Sequence, residues 1–302
     1  DMLGEGARTA IDAQRYFENY EHAIKYIAER TDKHTALRPG ISVKLSAIHP
    51  RYEYAQEDRC IMEMSAQLLE LAKLCANNNI AMTIDAEESE RLNTSVQIIE
   101  NILGLPALKD WDGFGLAVQA YNKAAPALID HIQERAEHHK IKTHIRLVKG
   151  AYWDSEIKNS QIGGLNHFPV FTRKANTDLS YLICAEKMCL SPNIFPMFAT
   201  HNAHSICAVQ DIAEHYKADF ELQKLFGMGD SLYDIIRSEK PEIKTSIYAP
   251  VGPHQDLLPY LVRRLLENGA NSSFVNKVMK RDEPIEPLTQ DPATQIKKDN
   301  RF

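Results

Sequence analysis

Three absences bound the reading of this sequence: paired cysteines, an excess of positive charge, and any apolar run long enough to span a bilayer. The five cysteines, Cys60, Cys75, Cys184, Cys189 and Cys207, are odd in number and form no CxxC pair, so neither a disulfide framework nor a zinc site is indicated. A reducing cytoplasm is expected. The formal net charge of −6 removes the nonspecific attraction that supplies much of nucleic-acid affinity, so nucleic acid is not an expected partner of this segment. The longest apolar runs fall far short of a membrane span, and an apolar fraction of 44% with 25% charged residues is that of a soluble globular protein. The close glycine pairs Gly113/Gly115, Gly163/Gly164 and Gly227/Gly229 complete no GxGxxG motif, so a dinucleotide must be bound in some way other than a Rossmann turn. The first residues, Asp1-Met2-Leu3, read as the inside of a strand and not as a leader, so an excised or trimmed domain is expected.

What is present is alternation. Short apolar or β-rich runs fall at 1–3, 41–48, 80–86, 114–120, 143–149, 197–200, 220–226 and 246–250, eight in all. Stretches with helical spacing of apolar positions lie between or after them, at 6–29, 57–77, 88–103, 123–139, 171–189, 204–215, 232–237 and 256–268. Eight strand–helix alternations in 302 residues predict a single (βα)₈ TIM-like barrel over 1–280, with a doubly wound open sheet as the structural alternative. The stretch 281–302 carries Pro284, Pro287 and Pro292 among polar residues without apolar periodicity and is expected to be a linker or extended tail.

In a barrel the C-terminal strand ends face the active site, and this sequence gathers polar residues there. Lys44, Asp85, Gln119, Arg146, Lys149, Thr200, His201 and Asn202 all sit at or just beyond such ends. A charge inside a strand is costly to bury unless paired, so Lys44, Asp85 and Arg146 are expected to share a polar cavity, as a structural ion-pair network or around a charged ligand. Arg263 and Arg264 lie on a helix that runs to Gly269 and point about 100° apart, so both serve one site only if that helix crosses the barrel mouth. On an outer helix they are solvated charge. His201, His204 and Asp85 admit a metal-dependent barrel hydrolase or lyase, but no HxH pair ends an early strand and Lys44 would set a competing cation nearby. Tyr121, Tyr152, Trp153 and Tyr248 fall where rings either wall a planar ligand or simply pack the rim.

The segments Asp1-Met2-Leu3-Gly4-Glu5, Ser42-Val43-Lys44-Leu45-Ser46-Ala47-Ile48-His49-Pro50-Arg51-Tyr52 and Ile84-Asp85-Ala86-Glu87-Glu88-Ser89 resemble the proline dehydrogenase domain of the bifunctional proline utilization A flavoenzymes. Arg146-Leu147-Val148-Lys149-Gly150-Ala151-Tyr152-Trp153-Asp154, Ala199-Thr200-His201-Asn202-Ala203-His204, Tyr248-Ala249-Pro250-Val251-Gly252 and the run from Leu261 to Asn271 do so as well. The resemblance extends to about Asn276. It implies a distorted (βα)₈ barrel that holds noncovalent FAD, with the last helix over the mouth. It implies oxidation of L-proline to Δ1-pyrroline-5-carboxylate, a membrane quinone as electron acceptor, and an aldehyde dehydrogenase domain elsewhere in a full-length chain at the cytoplasmic face of the inner membrane. By resemblance Lys44, Arg263 and Arg264 hold the proline carboxylate, Glu5 pairs with Arg263 when the site closes, and Tyr152, Leu225 and Tyr248 wall the substrate ring. Arg146 falls near flavin N5, and Asp85 is an orienting acid beside it. Gln119, Lys149, Gly150, Ala151, Trp153, Thr200, His201, Asn202, Arg264 and Glu267 fall on the cofactor side. No metal is implied. Phe226 stands where some relatives carry histidine, which puts one contact behind the site in doubt.

Overall fold

A computed structural model describes residues 1–31, 38–269 and 289–298, with side chains of 255, 259 and 265–269 excepted. Seven strands, β1 (Gly40–Val43), β2 (Ala81–Ile84), β3 (Phe114–Gln119), β4 (Thr143–Val148), β5 (Ile194–Ala199), β6 (Glu221–Leu225) and β7 (Lys244–Tyr248), pair in parallel and in chain order. Parallel neighbours need a crossover each, and helices supply them. These are α1 (Ala10–Arg30), α2 (Leu45–Ile48), α3 (Glu57–Asn77), α4 (Leu92–Ile102), α5 (Ala125–His139), α6 (Trp153–Ile162), α7 (Lys174–Leu190), α8 (Ala203–Tyr216), α9 (Asp230–Glu239) and α10 (Leu257–Gly269), with α11 (Pro292–Lys298) after them.

Alternation along each strand divides the sheet into two faces. Ile41 and Val43, Met82 and Ile84, Leu116 and Val118, Ile145 and Leu147 join Met64, Leu68, Leu71, Ile98, Ile129 and Ile132 of the helices in one buried apolar cluster. Each such side chain removed from water contributes about 1.5–3 kcal/mol before the entropy of ordering is counted. The other face carries Ser42, Thr83, Gly115, Ala117, His144, Arg146 and Gln223. That face is curled in on itself. Arg146 on β4 bonds to Ser42 on β1, Asp85 after β2 and Gln223 on β6. In a flat sheet with strands ~4.8 Å apart, β1 and β6 would stand about 24 Å from each other.

Two small residues on β3 open the way for these contacts. Thr83, Gly115 and His144 share one row of the sheet, and the His144 ring crosses over Gly115 to meet Thr83 Oγ1 at 2.8 Å. A Cβ on Gly115 would lie 2.3 Å from the His144 ring and 2.1 Å from its carbonyl oxygen. Ala117, paired with Arg146, leaves the same kind of room one step further along.

The run at 1–3 is a single parallel bridge, Met2 to Val251, in place of a full strand. Leu3 N donates to Val251 O and Val251 N to Asp1 O, so the segment completes the ring beyond the end of β7. The run at 41–48 is strand only to Val43. Its apolar second half, Leu45-Ser46-Ala47-Ile48, turns into α2, because an apolar run of four does not itself distinguish strand from buried helix. Over 289–298 the expected extended segment contains α11, whose first turn is capped by Asp291 and which packs on α7. The architecture is the expected distorted TIM-like barrel, its ring built, among the described residues, from seven laddered strands and the Met2–Val251 bridge.

Candidate active site

Lys44 leaves the end of β1 and Asp85 the end of β2, side by side in the parallel register, and Arg146 reaches them from β4. Lys44 Nζ donates to Asp85 Oδ2 at 2.6 Å and to Asp1 Oδ1 at 3.1 Å. Arg146 Nη1 donates to Asp85 Oδ1 at 3.0 Å and to Ser42 Oγ at 2.8 Å, while its Nε donates to Gln223 Oε1 at 2.7 Å. Burial opposes the Lys44 charge, but the Asp85 carboxylate outweighs it and the lysine pKa is raised. Burial likewise works against the Asp85 carboxylate, and Lys44 and Arg146 together overcome it, holding its pKa below the usual carboxylate range. Two buried cations thus share Asp85, and one of them, Lys44, is shared in turn with the carboxylate of Asp1. The guanidinium of Arg146 also lies 5.2 Å from the centre of the Tyr248 ring, whose hydroxyl pKa is raised by burial.

The mouth above this cluster is closed from two sides. α10 brings Arg263, which forms a bidentate pair with Glu5 of the N-terminal segment, Nη2 to Oε2 at 2.7 Å. Its guanidinium stands 5.6 Å from the Tyr152 ring centre, and that of Arg264 stands 4.9 Å from Tyr260. Leu225, Leu3 and Tyr260 form a small buried cluster with Tyr248 against it. The helix therefore does cross the barrel mouth, with Arg263 paired to the N-terminal segment.

A second group extends from the end of β3 and β4. The Gln119 amide donates to Glu87 O at 2.9 Å and accepts from Ala151 N at 3.2 Å. Gly150 adopts φ +142 and lies flat on Tyr121, where a Cβ would fall 2.5 Å from the ring, so only glycine lets the loop pass. Lys149 and Lys174 both pair with Asp178, Lys149 at 2.5 Å. Burial lowers the Lys149 pKa despite that carboxylate. Trp153 opens α6 with its ring half exposed and its Nε1 donating to Phe171 O at 2.9 Å. Thr200 is buried, its Oγ1 accepting from Asn202 N at 3.1 Å. Asn202 caps α8 through Ser205 N at 3.1 Å. His201 precedes that helix and accepts from Leu225 N at 3.1 Å, so burial and the Arg264 and Lys224 charges push its pKa down to about 4. Glu267 lies in α10, and its side chain is outside those described. Phe226 is largely exposed, and its backbone N donates to Tyr248 O at 3.0 Å.

The sequence reading did not find Ser42, Gln223, Glu87 or Asp178. Ser42, Gln223 and Glu87 are polar side chains in or after a strand and Asp178 lies in the first turns of α7; only the curl of the sheet shows that the first two point inward. Glu87 takes Ser46 N at 2.9 Å, tying the loops after β1 and β2.

The family model for proline dehydrogenase matches residues 1–277. The chain belongs to the proline dehydrogenase family. Within the family it is 47% identical over 306 aligned residues to the bifunctional protein PutA of Escherichia coli K12, covering 99% of this chain and 23% of that protein. It is 27% identical to mitochondrial proline dehydrogenase 1 of Arabidopsis thaliana over 71% of this chain and 44% of the other. A crystal structure of a Bradyrhizobium japonicum proline utilization A variant superposes with a TM-score of 0.94 at 52% identity, covering 98% of this chain and 31% of that one. The chain spans about a quarter of the length of the PutA proteins it matches. Among the described residues no helix is long and apolar enough to cross a membrane. Among the same residues no group of three His, Cys, Asp or Glu side chains is arranged to hold a metal ion.

Proposed function

We propose that this domain oxidises L-proline to Δ1-pyrroline-5-carboxylate with noncovalently bound FAD and passes the electrons to a membrane quinone. The observation that carries the reading is the Lys44–Asp85–Arg146 cluster beneath the Arg263 helix, in a chain of the proline dehydrogenase family. The residues suit the cofactor. Lys149 and Lys174 share the single Asp178 carboxylate, leaving a positive cluster fit for a pyrophosphate, and the glycine at 150 keeps the neighbouring loop flat. Gln119, Lys149, Gly150, Ala151, Trp153, Thr200, His201, Asn202, Arg264 and Glu267 are the groups we assign to holding it. When bound, FAD supplies the hydride acceptor, taking the C5 hydride as the nitrogen lone pair forms the C=N bond.

The chain's own residues orient and stabilise. Lys44, Arg263 and Arg264 fix the carboxylate, so the amine is held in one pose relative to the reacting carbon. Tyr152, Leu225 and Tyr248 exclude water from the ring. Arg146 keeps a permanent positive charge where negative charge develops, and Asp85 fixes it there while remaining ionised. Lys44 and Arg146 each bond to one oxygen of Asp85, two cations that disfavour a metal beside it, and His201 Nε2 accepts from Leu225 N. The metal-dependent hydrolase alternative finds no support. By the same resemblance we propose cytoplasmic, peripheral association with the inner membrane and an aldehyde dehydrogenase domain in the full-length chain.

The test compares Arg263→Met and Arg264→Met with the wild type on proline and on pyrrolidine, which lacks the carboxylate, with FAD occupancy checked in each. Loss of one charge-assisted contact lowers kcat/KM for proline by roughly ten- to a hundredfold. On pyrrolidine the three proteins converge, and lysine at either position restores proline turnover only in part, because a point charge lacks the planar fork. Equal losses on both substrates refute the clamp.

A further inference from the structure

Arg146 has one more anchor than its pairing with Asp85 requires, and that anchor belongs to a chain of polar groups running down the barrel interior. Its Nε donates to Gln223 Oε1 at 2.7 Å across the barrel from β4 to β6. The other end of the same amide, Gln223 Nε2, donates to Glu221 Oε1 at 2.7 Å and also meets Met197 Sδ at 3.3 Å. Glu221 Oε1 accepts a further hydrogen bond from Ser246 Oγ at 2.5 Å. Gln223 is buried, as are Ser42 and Arg146.

The chemistry of an amide makes this arrangement directional. A glutamine placed between a guanidinium and a carboxylate has one low-energy orientation, with its NH₂ toward the carboxylate and its oxygen toward the cation. Turned over, it would set NH₂ against Arg146 and oxygen against Glu221, leaving two buried mismatches. Glu221 therefore determines which end of Gln223 faces Arg146, although it does not touch Arg146 itself. With Ser42 Oγ and Asp85 on Nη1, the Gln223 bond to Nε fixes the guanidinium plane at a second, separated point. A plane held through Nη1 alone can swing about that end. Held through Nε as well, it cannot.

We propose that Gln223 is a positioning residue for the oxidation, oriented by Glu221, and that it holds the Arg146 guanidinium in the plane that stabilises charge on the reduced cofactor. The inference rests on the proline-oxidising reading above. It distinguishes Asp85 and Gln223 by function: Asp85 sets where Arg146 sits, and Gln223 sets how its plane is turned.

The experiment uses the whole chain loaded with FAD. Gln223→Met keeps the length and apolar stem but offers Nε no acceptor, and Gln223→Asn keeps the amide but draws it back by one methylene. In both, the rate of flavin reduction at saturating proline falls about tenfold while KM for proline stays within about twofold, because the carboxylate clamp is untouched. Preference for the reduced over the oxidised cofactor falls by a similar factor, which lowers the two-electron midpoint potential by about 30 mV. A group that merely supports the fold would not move that potential. In a double-mutant cycle with Arg146→Lys, which has no Nε in the guanidinium plane, the Gln223→Met loss disappears. Unchanged rate and potential in both folded variants overturn the inference, and so does a Gln223→Met loss that adds in full to that of Arg146→Lys. A wild type that does not reduce FAD with proline overturns the functional reading and this inference together, whereas an active wild type beside unaffected variants overturns the inference alone.

Discussion

His144 is a titratable ring sealed inside the barrel beside an arginine two residues away. Burial first, and the charges of Arg146 and Arg38 next, push its pKa down to about 3. In the unfolded chain the ring takes a proton near pH 6.5. Between those values the unfolded state binds a proton that the folded state refuses, so stability is full above about 6.5 and declines as the pH falls. At pH 5 the loss from this one ring is on the order of 2 kcal/mol. His144→Gln keeps a partner for Thr83 and removes the titration. Urea unfolding at pH 7.5 and pH 5 is therefore expected to show the wild type losing about that much more than the variant. Parallel curves for the two proteins would mean that the ring titrates normally in the fold. Trp153 gives a second test at this scale. Its half-exposed ring is among the groups we propose to hold the cofactor, so Trp153→Ala is expected to lower FAD retention while proline affinity changes little. Unaltered FAD content removes it from that role.

At the scale of the element, β3 works by what it omits. Gly115 and Ala117 leave a trough across which His144 and Arg146 of β4 reach Thr83 and Asp85 at β2. Gly115→Ala places a methyl against a carbonyl oxygen, which cannot step aside as a side chain can, and is expected to cost about 3 kcal/mol. Chemical denaturation checks this, and a loss below about 1 kcal/mol would show that β3 and β4 separate easily. The trough could not be read from the sequence, where Gly115 looked like one half of an incomplete phosphate motif. Lys44, Asp85 and Arg146 were legible because a charge at the end of an apolar run is anomalous on its own. Ser42, Thr83 and Gln223 were not, since a small or neutral polar residue in a strand is ordinary until the sheet is known to close. α6 was missed because Trp153-Asp154-Ser155-Glu156-Ile157-Lys158 carries no apolar stripe, and the helix is largely exposed. α3 was anticipated from Glu57 to Asn77 because its stripe of Cys60, Met64, Leu68, Leu71 and Cys75 is unbroken. The roles assigned at the mouth came from the resemblance, since periodicity left open whether α10 lay inside or outside the ring.

For the whole molecule the reading makes the cofactor a part of the fold's stability. A ligand that binds only the folded chain adds about 2.7 kcal/mol at a free concentration a hundred times its dissociation constant. For a chain of 302 residues the midpoint of thermal unfolding is expected to rise by roughly 4 °C over that range of added FAD. Yellow colour should leave with the small-molecule fraction after denaturation. Colour on the unfolded polypeptide would contradict noncovalent binding.

The bridge between Met2 and Val251 has a further consequence, which concerns time. Neighbouring strands such as β3 and β4 meet across about thirty residues, as from Gly115 to His144, whereas this bridge joins the two ends of the barrel. Loop-closure entropy grows as the logarithm of the chain enclosed, so this last contact costs about 2 kcal/mol more to close than its neighbours. Against that cost stand one bridge, a few backbone bonds and the buried side chains of Met2 and Leu3. The segment it secures carries Asp1 and Glu5, the partners of Lys44 and Arg263. The mouth is thus expected to be the last part of the ring to assemble and the first to part in native fluctuations, which amide hydrogen exchange would show as faster exchange at Leu3 and Val251 than along β3 and β4.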